Sequence, residues 1–132
     1  MIHAAEMRVR YHETDKMGVA NHINHFKWFE VGRAELLREM KLSMLTLEKA
    51  GCFLVLREAR CVYASPAFYD DLIKVTTKMA EVRNRAVRFE YTITRGDAKL
   101  ADGYTVHVFT DGAGKVKEIP AKFREKLLAA VE

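Results

Sequence analysis

From Asn21 to Met40 the chain runs without proline, and Ile23, Phe26, Phe29, Leu36, Leu37 and Met40 recur at the spacing of one helical face. Trp28, Val31 and Ala34 widen that stripe beyond what one flat contact would bury, so the helix must be enclosed on several sides. Gly32 in its middle permits close backbone approach. Few folds can surround a lone helix in a chain of this size, and a curved sheet is the economical one.

The rest of the sequence supplies that sheet. Ala5 to Tyr11 is short and mixed, as a first strand would be. A short helix is expected over Ser43 to Ala50, ended by Gly51 as its C-terminal cap. Cys52 to Tyr63 is rich in strand formers and stops at Ser65-Pro66. Ile73, Val75, Thr77 and Met79 then alternate with polar residues, as do Val87, Phe89, Tyr91 and Ile93, which predicts two half-buried strands. Gly96-Asp97 is a turn, Tyr104, Val106 and Val108 mark one more strand, and a closing helix begins near Pro120. Short connections between consecutive strands predict an antiparallel meander around the long helix, an α+β fold with a short C-terminal helix.

Residues 1–132 have the length of one domain. With 49% hydrophobic and 30% charged residues the composition is that of an ordinary globular protein, and no apolar run approaches the roughly 20 residues of a membrane span. No secretion leader is visible, so the expected compartment is the cytoplasm. Cys52 and Cys61 fall in one expected strand, too far apart for a disulfide, and read as buried thiols. The net charge of +4 is spread along the chain without a basic stripe or a reading motif, which argues against nucleic acid, whereas a phosphate-bearing small molecule fits.

The densest chemistry lies in "RYHETDKMGVANHINHFKWFE", from Arg10 to Glu30. Tyr11, "TDKMGV" from Thr14 to Val19, His22 and the helix opening "FKWFEVGRAELLREM" together resemble the hotdog-fold acyl-CoA thioesterases, in the branch that includes hydroxybenzoyl-CoA thioesterase and the Tol-Pal-associated thioesterases. "VYASPAFYDDLIKV" and "GYTVHVFTDGAGK" are similar to that family's later segments. The resemblance implies a hotdog fold, an acyl-CoA substrate, no metal or redox cofactor, and a site at the interface of a homodimer or homotetramer. It also implies that the motif aspartate, Asp15 here, is the catalytic group, with His22 and Tyr11 beside it.

The residue chemistry is compatible with that reading. Thioester hydrolysis needs a base or nucleophile and donors for the developing oxyanion. Aspartate is charged at neutral pH without tuning, though it is equally favoured in turns and caps. Gly18 admits a ligand to the backbone, and main-chain N–H groups from Val19 through Asn21 to His22 stand where a helix begins, at its positive end. His22 could instead cap the helix and Tyr11 could pack at a strand end. Glu13 is expected to be exposed, Glu30 to pair with Arg33, and His25 is too poorly supported by other ligands to make a zinc site with His22. His3, His12 and His107 carry no motif. Arg83, Arg85 and Arg88 cluster at a strand turn, where they suit coenzyme A phosphates or simply a solvated hairpin. An acyl-carrier-protein thioesterase and a non-catalytic acyl-CoA-binding module are the alternatives. The sequence leaves open the length and type of the acyl group.

Overall fold

Period-two alternation in the second half of the chain produces three long strands joined by tight turns, and the computed structural model, which describes all 132 residues, shows how they enclose the helix. The elements are β1 (Ile2–Arg8), a 3-10 turn (Tyr11–Glu13), α1 (Asn24–Glu39), α2 (Met44–Lys49), β2 (Phe53–Tyr63), β3 (Leu72–Val82), β4 (Ala86–Arg95), β5 (Ala98–Thr110) and α3 (Ala121–Ala129). The sheet is antiparallel in the order β1-β3-β4-β5-β2, and it curls around α1 in the hotdog manner.

The expected meander holds only for β3-β4-β5. β2 does not pair with its successor; the connection from Ala64 to Asp71 carries the chain to the other side, and β2 pairs with β5 from Phe53↔Thr110 to Tyr63↔Ala101. β1 takes the vacant place beside β3, from Ile2↔Lys78 to Arg8↔Leu72. β1 also lies three residues earlier than expected, because Tyr11 belongs to the 3-10 turn that follows. Cys52 precedes β2 and is buried, whereas Cys61, within it, is only half-buried.

Trp28, Phe29, Leu36 and Leu37 of α1 meet Ile73, Val75 and Met79 of β3 and Phe89, Tyr91 and Ile93 of β4 in one core. Gly32 explains the intimacy of that contact. A Cβ there would stand 2.3 Å from Thr77 Oγ1 and 2.9 Å from Val75 Cγ1, both on stiff β-branched side chains. Alanine gains up to ~1 kcal/mol in helix propensity over glycine, but overpacking of this kind costs about 1–3 kcal/mol. Gly32→Ala is therefore expected to lower the urea midpoint; an unchanged or raised midpoint would mean that α1 can back away from β3.

β5 departs from expectation by one register position. It turns Thr105, His107 and Phe109 inward, and the apolar set Tyr104, Val106 and Val108 faces outward. Some of the inward polar groups pair, Tyr91 Oη and His107 Nε2 lying 2.5 and 2.9 Å from Thr105 Oγ1, whereas His107 Nδ1 has no partner. His107, which has no motif in the sequence, is thus part of the core.

Candidate active site

The site grows out of a buried acid. Glu13, expected at the surface, is 2% exposed. Its carboxylate accepts hydrogen bonds from the Arg10 main-chain N–H at 2.8 Å, from the Arg10 guanidinium at 3.1 Å and from Trp28 Nε1 at 3.0 Å. Burial by itself would raise this carboxyl, but those donors together with the Arg10 charge hold it below the usual glutamate range. The Glu13 carbonyl in turn accepts from Asn21 N–H at 2.8 Å and from Asn24 Nδ2 at 2.7 Å. One residue therefore ties the end of the first strand to the start of α1, and the intervening loop is held between them.

That loop carries Asp15. It closes through Asp15 N–H to Val19 O at 2.9 Å and Gly18 N–H to Asp15 O at 3.1 Å, and Gly18 takes φ +74°, a conformation glycine adopts without strain. The Asp15 side chain is exposed and accepts only a long bond, 3.4 Å, from Met17 N–H. Its carboxylate is therefore largely unengaged.

Of the four main-chain donors that the sequence places between the loop and the helix, two are taken up internally. Ala20 N–H donates to Ala67 O and Asn21 N–H to Glu13 O, and the Asn21 side chain accepts from Ile23 N–H. Val19 and His22 keep their N–H groups free of internal acceptors. The His22 carbonyl is held from two sides, by Tyr63 Oη at 2.7 Å and His25 Nδ1 at 3.0 Å. Burial, with Cys61 close by, pushes the Tyr63 hydroxyl up to about 12, so it remains a donor.

Next to this loop is a cleft of about 300 Å³ lined by Val19, Ala20, His22, His25, Tyr63, Ala64, Ser65 and Pro66. Asp15 is outside its lining, and Tyr11, 77% exposed, packs edge-on against Tyr69 at 5.5 Å. Tyr63 and the Ser65-Pro66 segment read in the sequence only as a strand end and its stop; no local pattern shows that β2 returns to the start of α1.

The three arginines stand elsewhere. Arg83 and Arg88 line one groove with Arg57, Glu58 and Glu81, while Arg85 pairs with Glu118 at 3.6 Å. Arg83 pairs with Glu81 at 2.6 Å, and Arg88 lies 3.4 Å from Glu90 and 4.0 Å over the Tyr104 ring. The Asp15 loop is fastened at the other end of β3, through Val9 N–H to Asp71 O and Tyr69 N–H to Gly18 O. The length of β3, roughly 33 Å at strand rise, separates the two regions within one chain. A larger groove of about 510 Å³ lies on the outer sheet face, but its Lys78 and Arg88 are paired with Glu90. No group of three or more His, Cys, Asp or Glu side chains converges to hold a metal, and no helix is long and apolar enough to cross a membrane.

Comparison with known proteins agrees with this architecture. Residues 9–127 match the thioesterase-like superfamily. The chain is similar to the acyl-CoA thioesterase YbgC of Haemophilus influenzae, 33% identical over 125 residues that cover 94% of this chain and 90% of that one. Among solved structures it is similar to the hypothetical protein TT1821 of Thermus thermophilus, with a TM-score of 0.94, 29% identity and coverage of 100% and 99%. It is also similar to the hypothetical protein AQ1494 of Aquifex aeolicus, with a TM-score of 0.90, 32% identity and coverage of 95% and 98%.

Proposed function

The chain belongs to the thioesterase-like superfamily and is a thioester hydrolase, and from that premise we propose that it cleaves acyl-CoA to free acid and coenzyme A in the cytoplasm, with Asp15 as base or nucleophile. The observations that support the assignment are an unengaged carboxylate on the Asp15–Val19 loop and two main-chain N–H groups, of Val19 and His22, that have no internal acceptor where that loop leads into α1. The carboxylate attacks the carbonyl carbon or takes a proton from the water that does. The carbonyl oxygen gathers charge as the tetrahedral centre forms, and the His22 N–H, at the positive end of α1, is the donor that meets it. Collapse breaks the carbon–sulfur bond and the thiolate leaves without a strong general acid; after direct attack, a water then hydrolyses the anhydride left on Asp15 to release the free acid and restore the carboxylate. His22 and Tyr63 shape the cleft wall, Gly18 lets the thioester approach the backbone, and Tyr11 covers the loop from outside.

A homodimer or homotetramer completes this reading. β2 is an eleven-residue edge strand whose Leu56 is 53% exposed, with Val55, Val62 and Tyr63 exposed around it, an open edge that a second copy would cover. An isologous antiparallel pairing of two β2 edges sets the Phe53 end of one copy beside the Tyr63 end of the other. The Arg83–Arg85 turn sits at the Phe53 end, next to Phe109, so it would be carried toward the opposite copy's cleft, within reach of coenzyme A phosphates.

Thiol release from a panel of coenzyme A thioesters tests the proposal. Wild type is expected to hydrolyse at least one, and Asp15→Asn to do so roughly 100-fold or more slowly. Equal rates would remove Asp15 from the chemistry. Binding of acyl-CoA without hydrolysis by wild type would favour a sensor, and preference for a carrier-protein thioester over its coenzyme A counterpart would reassign the substrate. Single-turnover labelling with heavy oxygen distinguishes the two roles of Asp15, because only direct attack leaves label in the protein.

A further inference from the structure

One titratable side chain of the cleft has no task in this scheme. His25 lies in the first turn of α1 and is 3% exposed. Its Nδ1 faces the His22 carbonyl oxygen, and because a carbonyl only accepts, Nδ1 carries the proton. Burial keeps the ring below the usual histidine range and therefore neutral, which makes Nε2 a bare acceptor. That atom is buried and has no donor anywhere in the chain. Buried polar atoms are nearly always paired, and of the four unpaired ones in this chain only His25 Nε2 belongs to a side chain that lines this cleft, where a ligand group can pair it.

The surroundings say how a ligand reaches it. The His25 ring helps line the 300 Å³ cleft and is flanked by the Trp28 ring at 4.8 Å and, edge-on, by the Tyr63 ring at 4.6 Å. Trp28 is fully buried, whereas Tyr63 is 44% exposed and is the wall on the open side of the ring. The opposite edge of the imidazole is anchored on the His22 carbonyl, so the direction in which Nε2 can accept is set by the helix start itself.

We infer that His25 is a specificity-determining residue whose Nε2 accepts a hydrogen bond from an N–H or O–H group of the bound thioester. The inference rests on the hydrolase reading above but concerns recognition, not the bond that breaks. Two parts of such a substrate carry a donor of this kind: the amides of the pantetheine arm, and a hydroxyl on the acyl group. A substrate lacking the donor leaves Nε2 unpaired and loses that contribution.

Two substrate pairs separate the sources. One is an acyl-CoA with a hydroxyl on its acyl chain against the same chain without it. The other is a thioester of N-acetylcysteamine against the matching thioester in which an ester oxygen replaces the amide N–H. In His25→Phe, which fills the space between Trp28 and Tyr63, the ratio of kcat/KM between the donor-bearing and donor-free members of one pair is expected to fall roughly tenfold, over and above any loss that both members share from release of the His22 carbonyl. His25→Gln, which retains an acceptor, is expected to restore part of the preference. Dissociation constants of the corresponding uncleavable thioethers should follow the same pattern. An equal change for both members of both pairs, or no change, overturns the inference. If wild type releases no thiol at all, the hydrolase reading fails, and the thioether affinities still decide the role of His25.

Discussion

Glu13→Ala is expected to destabilise the protein by about 3–5 kcal/mol and to abolish activity at temperatures where the wild type is folded. The substitution removes the acceptor of the buried indole N–H of Trp28 and of the half-buried main-chain N–H of Arg10. The first then bears a desolvation cost of about 1–3 kcal/mol and the second part of such a cost, and the apolar contacts of the side chain are lost with them. The Arg10 side chain is 62% exposed, returns to water, and adds little. Loss of the carboxylate also cuts the tie that runs from Arg10 through Glu13 to Trp28 of α1 and so loosens the segment that carries Asp15, although the Glu13 carbonyl still holds Asn21 N–H and Asn24 Nδ2. Trp28 is the one tryptophan of the chain, so its emission reports the change directly during urea unfolding. Glu13→Gln keeps one carbonyl acceptor and turns an N–H₂ toward the remaining donors, and is expected to fall between wild type and alanine. A wild-type midpoint for Glu13→Ala would show that the anchor is dispensable.

Acid should weaken the fold well before its carboxylates protonate. Burial, reinforced by the Arg33 charge, pushes His107 down to about 3 in the folded chain. An unfolded histidine takes up its proton near pH 6.5. Between those two values the unfolded state binds a proton that the native state refuses, so stability falls as pH drops through this window and is unaffected by His107 above it. The loss amounts to about 3–5 kcal/mol by pH 3. His25, also lowered by burial, acts in the same direction. Glu13 follows at lower pH: its folded pKa is depressed, so its contribution is present above the unfolded value of 4.5 and is lost as pH falls toward the folded one. His107→Leu should flatten the dependence of unfolding free energy on pH between 6.5 and 4.5, measured by denaturant titration at a series of pH values. An unaltered slope would mean that the buried imidazole is not the group responsible.

These two residues mark where reading along the chain stopped. Glu13 looks like a surface acid because its neighbours are polar; its burial depends on an indole one turn into a helix that begins eleven residues later. His107 sits in an alternating strand whose apolar members, Tyr104, Val106 and Val108, face outward. The inward set is polar and is tolerated because Tyr91 and Thr105, brought from β4 and β5, hydrogen-bond with it. By contrast α1 and the β3-β4 hairpin were legible, since each follows from spacing within a few neighbours. So was the Asp15 segment, whose residue pattern is contiguous.

The amino-acid order alone accounts for the central helix, the strands that alternate around it and the loop that carries a carboxylate to the helix start, because local periodicity, capping and turn chemistry act over a few residues. The placement of β2 beside β5, the burial of Glu13, the cleft shared by His25 and Tyr63, and the location of the Arg83 turn and the Asp15 loop at opposite ends of β3 were decided only by the tertiary structure. Strand pairing and desolvation depend on partners tens of residues away, and nothing in a short window records which partner will be there.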